Sequence, residues 1–154
     1  SIEFCNKSIY NIWMSNLFKK AAVFTDIHYG LKSNSLQHNT DCDNFIDWFI
    51  QKAKSENCET CFFLGDWHHH RASINLHTLQ FSLQGIEKLS QNFDRVFFIP
   101  GNHDLYYRDK RNIHSAEWAK HIPNITIKVP AMCLAMRIQK LKVLNIGSSM
   151  TGNV

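Results

Sequence analysis

Three short apolar runs along the chain stop abruptly at polar groups. Ala21-Ala22-Val23-Phe24-Thr25 leads into Asp26-Ile27-His28, Cys61-Phe62-Phe63-Leu64 into Gly65-Asp66, and Val96-Phe97-Phe98-Ile99 into Pro100-Gly101-Asn102-His103-Asp104. Apolar runs of this length bounded by Gly, Pro and Asp read as buried strands. Between them the period becomes helical. After a polar loop to about Thr40, Phe45, Ile46, Phe49, Ile50 and Ala53 mark an amphipathic helix, with Thr40, Asp41 or Asp43 as candidate caps and an end near Asn57. Leu76, Leu79, Leu83, Ile86 and Leu89 mark a longer helix from Ser73 to about Phe93. Strand-helix-strand-helix-strand units of this size imply parallel pairing with right-handed crossovers, so the expected fold class is α/β with helices on the outer face of a mostly parallel sheet. Ligands of such sheets bind beyond the carboxyl ends of the strands, where these polar groups fall.

The ends of the chain are less regular. Residues 1–13 show no clean period and precede Met14, so they read either as an extension upstream of a domain spanning 14–154 or as an edge strand or short helix covering the sheet. A further helix is expected over Asn112 to His121, stopped before Pro123, with short strands at Ile125 to Val129 and Leu141 to Ile146.

Composition adds bounds. The chain has 154 residues, 44% apolar and 19% charged, which suits one globular domain and excludes a disordered segment. Five cysteines form an odd set with no charged-then-apolar leader ahead of them, so a disulfide framework is not expected and a reducing cytoplasm is. No apolar run approaches the ~20 residues that cross a bilayer, and no membrane association is expected. The net charge of +4 is uneven: residues 1–104 carry 9 Lys/Arg against 11 Asp/Glu, and residues 105–154 carry 8 against 2. Arg108, Lys110 and Arg111 follow Asp104 closely, an arrangement that suits a polyanionic substrate.

The chemistry gathers at the strand ends. Asp26 and His28 project from one strand end and can hold the same cation; Asp66 from the next strand can bridge two; Asn102 offers an amide oxygen. Carboxylate, imidazole and amide together suit Mn²⁺, Fe or Zn²⁺. Two cations ~4 Å apart would clamp a phosphate for in-line attack, with His103 facing the leaving oxygen and Asp104 orienting its ring. Cys58-Glu59-Thr60-Cys61 has the spacing of a redox or zinc pair, but no second pair exists and Cys61 opens an apolar strand, so both read as structural.

At these residues the sequence resembles the calcineurin-like metallophosphoesterase superfamily, whose blocks read Asp-x-His, Gly-Asp and Gly-Asn-His-Asp/Glu in that order. The match runs from about Lys20 to Asp104. The stretches Asp26-Ile27-His28-Tyr29-Gly30, Gly65-Asp66-Trp67-His68-His69 and Pro100 to Asp104 look most like SbcD-like nucleases. Arg71-Ala72-Ser73 and Leu105 to Asp109 add a likeness to the recombination endonuclease subunits of tailed phages. The resemblance implies the first half of a metallophosphoesterase-type α/β sandwich and two divalent ions, Mn²⁺ foremost. Asp26 and His28 would bind the first, Asp66 would bridge, and Asn102 would bind the second. It further implies His103 as the catalytic histidine, oriented by Asp104, His69 near the scissile phosphate, and Arg71 and Arg108 as substrate contacts. DNA is the implied substrate, an SbcC-like ATPase the partner, with a homodimer as a further association. His68 and His70 read as partly exposed loop histidines, and His38, His77, His114 and His121 as surface or core residues rather than ligands.

Family members complete the site with downstream Gly-His or Asn-His and Gly-His-x-His blocks, which do not occur here, and Lys128 to Val154 departs from the pattern. A nuclease fragment is therefore expected. Two other readings compete: a phosphomonoesterase or protein phosphatase, and a non-catalytic binding module with an incomplete site.

Overall fold

The computed structural model describes residues 20–70, 72–99, 101, 117–127 and 144–145. Strands β1 (Ala21–Phe24), β2 (Thr60–Phe63), β3 (Arg95–Phe98), β4 (Ile125–Ile127) and β5 (Leu144–Asn145) form one sheet in the order β4-β3-β2-β1-β5, and every neighbouring pair is parallel. Helix α1 (Leu36–Ser55) joins β1 to β2, and α2 (Leu76–Asn92) joins β2 to β3. The fold is the α/β arrangement that the pattern predicts.

The strands are apolar without interruption because both faces are buried. Ala22, Phe24, Cys61, Phe63, Val96 and Phe98 alternate onto the face covered by α1 and α2, where they meet Ile46, Phe49, Ala53, Ile86 and Leu89. Ala21, Val23, Phe62 and Phe97 form a second buried cluster on the opposite face, with the Phe62 and Phe97 rings stacked at 4.8 Å. Lys88 fastens the helices to one another through Asp43 and Asp47, at 2.8 Å each. Cys42, Cys58 and Cys61 are buried free thiols. Burial raises the Cys58 and Cys61 thiols, which suits packing rather than redox or zinc chemistry. Among the described residues no helix is long and apolar enough to cross a membrane.

Three expectations need correction. First, α1 starts at Leu36, inside the expected polar loop. Its cap is Ser35, whose hydroxyl accepts from the His38 amide, and its first turns carry a wholly buried Asn39 that a search for apolar period passes over. Second, α2 starts at Leu76, capped by Asn75 through the Thr78 amide at 2.7 Å, and it presents a different face from the one its leucines suggest. Leu76 is 85% exposed and Leu83 is exposed too, whereas Thr78, Ser82 and Gly85 lie buried. These small and polar residues sit inside because the loops after β1 and β2 bring polar groups and a tyrosine ring against them. Third, the segment before Pro123 is a 3₁₀ turn at Glu117–His121, the strands beyond it are shorter than expected, and residues 112–116 lie outside the described residues.

Candidate metal centre

Past the strand ends, the two loops that carry the acidic residues remain zipped together. Leu64 donates to the Phe24 carbonyl, Asp26 to Gly65, His28 to Asp66, Tyr29 to Trp67 and His69 to Tyr29, all at 2.9–3.0 Å. Parallel register continues to the isolated bridge between Tyr29 and His68. Sequence order alone places Asp26, His28 and Asp66 on neighbouring loops; this backbone ladder sets them side by side.

His28 Nε2 lies 3.6 Å from Asp26 Oδ1 and 3.9 Å from Asp66 Oδ2, and one ligand atom from each of the three residues falls within 4.8 Å of the others. The Asp26 side chain is about half exposed, whereas Asp66 and His28 are largely sheltered. All three backbones are left-handed, with φ of 59°, 52° and 61° for Asp26, His28 and Asp66. Side chains other than glycine adopt this conformation at a cost, and it persists where surrounding structure fixes it, commonly at functional sites. Two carboxylates and an imidazole converging at this spacing form a donor set that fits a borderline divalent cation.

Glycines let the loops close. At Gly65, with φ of 120°, a Cβ would fall 2.7 Å from Gly101 Cα; at Gly101 it would fall 2.3 Å from both the amide nitrogen and Oδ1 of Asp66. The end of β3 therefore presses directly on the Asp66 carboxylate. Any side chain at position 101 would occupy the space in which that carboxylate sits.

The Trp67-His68 pair behind Asp66 is anchored on α2. Ser82 Oγ accepts from Trp67 Nε1 at 2.8 Å and lies 2.6 Å from His68 Nε2. His68 is thus fully buried, not a partly exposed loop histidine, because a hydroxyl fourteen residues onward supplies its partner. Burial pushes its pKa from 6.5 down to about 3. Near neutral pH it is uncharged in both folded and unfolded chains. Below about pH 6.5 only the unfolded chain takes the proton, so stability falls as pH falls, by about 1.4 kcal/mol at one unit below that value. Urea unfolding at pH 7 and 5.5 should show this loss in the wild type and a smaller one in His68→Gln.

Tyr29 packs beside Trp67, its ring against the bare Cα of Gly85, where a Cβ would come within 2.5 Å of the phenol oxygen. His69 is half-buried, its ring centroid 5.6 Å from that of His28, so it borders the cluster without joining it. His70 is exposed, as is His121; His77 is half-buried against Phe81. His38, which sequence reasoning set aside, is half-buried with Nε2 2.9 Å from the His28 carbonyl. Asn102, His103, Asp104, Arg71 and Arg108, together with His114, lie outside the described residues.

The comparisons agree with this architecture. No curated protein matches the chain. Among solved structures, a nuclease MPE from Pseudomonas putida is 24% identical over 70% of this chain and 47% of its own, with a TM-score of 0.48. A decarboxylase from Sulfurospirillum multivorans is 16% identical over 80% of this chain and 34% of its own, with a TM-score of 0.40. The chain thus spans about half the length of the first. The calcineurin-like phosphoesterase family matches residues 19–147, from the start of the sheet through β5. Families of this kind hydrolyse phosphoesters with divalent metals, and the Asp26, His28 and Asp66 cluster supplies a candidate place for one. The chain belongs to the calcineurin-like phosphoesterase family.

Proposed function

We propose that the protein is a metal-dependent DNA nuclease of SbcD-like type, hydrolysing phosphodiester bonds in recombination, repair or replication. The observation that carries a metal-dependent hydrolase is the convergence of Asp26, His28 and Asp66 at the carboxyl ends of adjacent parallel strands. Three features favour DNA over a small phosphoester: the SbcD-like flanks of each block, the basic excess of residues 105–154, and a histidine, His69, bordering the cluster. On this reading an SbcC-like ATPase is the partner, the protein associates as a homodimer, and it works in a reducing cytoplasm.

Asp26 and His28 would hold one divalent cation, Mn²⁺ by preference, with Asp66 shared with a second that Asn102 completes. The cations supply Lewis acidity toward a phosphoryl oxygen. The remaining work belongs to the chain. The zipped loops keep both carboxylates and the imidazole oriented before substrate arrives, so little reorganisation is needed when charge develops on the phosphate. His69 contacts the phosphate or its leaving oxygen. His103, oriented by Asp104, donates a proton to that oxygen, while Arg71 and Arg108 hold neighbouring phosphates.

The test compares the 154-residue chain with a version extended through any downstream Gly-His-x-His block that the gene encodes. Both are assayed with Mn²⁺ on linear duplex DNA, bis-p-nitrophenyl phosphate and p-nitrophenyl phosphate. The expected result is diester cleavage, stronger in the longer chain, with His69→Ser losing DNA cleavage while Mn²⁺ binding is retained. Preference for the monoester would favour a phosphatase. Mn²⁺ binding without hydrolysis in either chain would favour a binding module.

A further inference from the structure

The loop that carries Asp26 and His28 is gripped from α1 as well as from its neighbour after β2. Cys42 Sγ donates to the Ile27 carbonyl at 3.3 Å, and His38 Nε2 lies 2.9 Å from the His28 carbonyl. A carbonyl oxygen only accepts, so that ring nitrogen carries the proton. His38 Nε2 and Cys42 Sγ are 3.4 Å apart, and the residues stand four apart in the first turns of α1, on one side of the helix.

The peptide groups they hold belong to a segment whose two candidate ligands are both left-handed. The amides of Asp26 and His28 are tied to the carbonyls of Gly65 and Asp66. His38 and Cys42 hold the carbonyl side, so the segment is clamped from two directions. Without the carbonyl half, rotation about His28 φ and ψ would return that residue to an ordinary conformation and swing its ring away from both carboxylates. Asn39, wholly buried beside His38, performs the corresponding task one turn of chain later: its Oδ1 accepts from the Gly30 amide at 2.9 Å, and its Nδ2 donates to Thr78 on α2.

We infer that His38, supported by Cys42, is a positioning residue for the cation site: it holds the His28 carbonyl so that the His28 ring stays turned toward Asp26 and Asp66. The inference rests on reading those three residues as metal ligands. His38 itself touches neither cation nor substrate; it acts through the backbone of His28.

The experiment titrates Mn²⁺ into the chain and follows the free ion by electron paramagnetic resonance, for the wild type, His38→Leu, His38→Gln and Asp66→Asn, with urea unfolding of each. His38→Leu should weaken Mn²⁺ binding about 10- to 100-fold, the usual effect of losing a group that orients a ligand. His38→Gln, whose amide nitrogen can donate to the same carbonyl, should recover most of that loss. A purely structural role would lower the urea midpoint of His38→Leu and leave the affinity of the folded protein unchanged. That result, or equal affinity in the Leu and Gln variants, overturns the inference. Asp66→Asn separates the two layers of the argument. If it binds Mn²⁺ as the wild type does, the metal reading fails and the inference with it; if it loses binding while His38→Leu does not, only the positioning role fails.

Discussion

Asp66→Asn and Asp66→Ala should each abolish measurable metal-dependent hydrolysis, with Mn²⁺ affinity falling by more than the about 100-fold that follows loss of an outer partner. Asp66 is the one carboxylate at the site that is both sheltered and reached from two loops: its Oδ2 lies 3.9 Å from His28, and its amide and Oδ1 rest against Gly101. No other described acidic side chain joins the cluster besides Asp26, which is held on the opposite loop. The pair of substitutions also separates charge from backbone. Asparagine tolerates the left-handed φ of 61° better than alanine does, so the Asn variant should fold about as well as wild type while the Ala variant loses some stability. Mn²⁺ titration together with urea unfolding checks both halves. An Asn variant that binds Mn²⁺ and cleaves phosphodiesters like the wild type would remove Asp66 from the site.

The second large effect is expected at a residue with no side chain. Gly101→Ala introduces a methyl group 2.3 Å from two atoms of Asp66, one of them backbone, so a rotamer change cannot relieve the clash. The β3 loop has to back away or Asp66 has to move. Overpacking of this kind costs about 1–3 kcal/mol of stability, and because the displaced group is the candidate ligand itself, Mn²⁺ affinity should fall at least about 10-fold as well. Gly65→Ala should act in the same direction, with the added strain of a φ of 120°. Retention of both wild-type stability and Mn²⁺ affinity in Gly101→Ala would mean that the two loops do not meet as described.

The β1, β2 and β3 core was readable because each strand is buried on both faces and therefore apolar without a break. The ligand-bearing ends were readable because the same runs stop at Asp26, Gly65 and Gly101. The parts that were not readable share one physical cause: polar groups placed inside by partners far away in sequence. Asn39 is buried because Gly30 and Thr78 satisfy it, and His68 because Ser82 does. Such pairs leave no periodic trace, so the start of α1 was taken for a loop, and the buried face of α2 was assigned to leucines that turn out to face solvent. His38 was missed for a related reason. Its task is performed on a backbone carbonyl, and a backbone carbonyl has no letter in the sequence; the only local trace is its spacing of four from Cys42 on the same helix.

The position of β1 inside the sheet bears on how the chain reaches this structure. Its pairing with β2 joins residues 21–24 to 60–63 across one helix, whereas its pairing with β5 joins Ala22 to Leu144. Closing the shorter loop costs less chain entropy, so β1, α1 and β2 have the means to assemble before the β5 end is recruited. Until β5 arrives, β1 exposes a free row of amides and carbonyls along its outer side, the kind of edge on which two unfinished molecules can pair. The late, short β5 thus acts as a closing seam, and the rate at which it docks governs how long each newly made chain remains open to self-association.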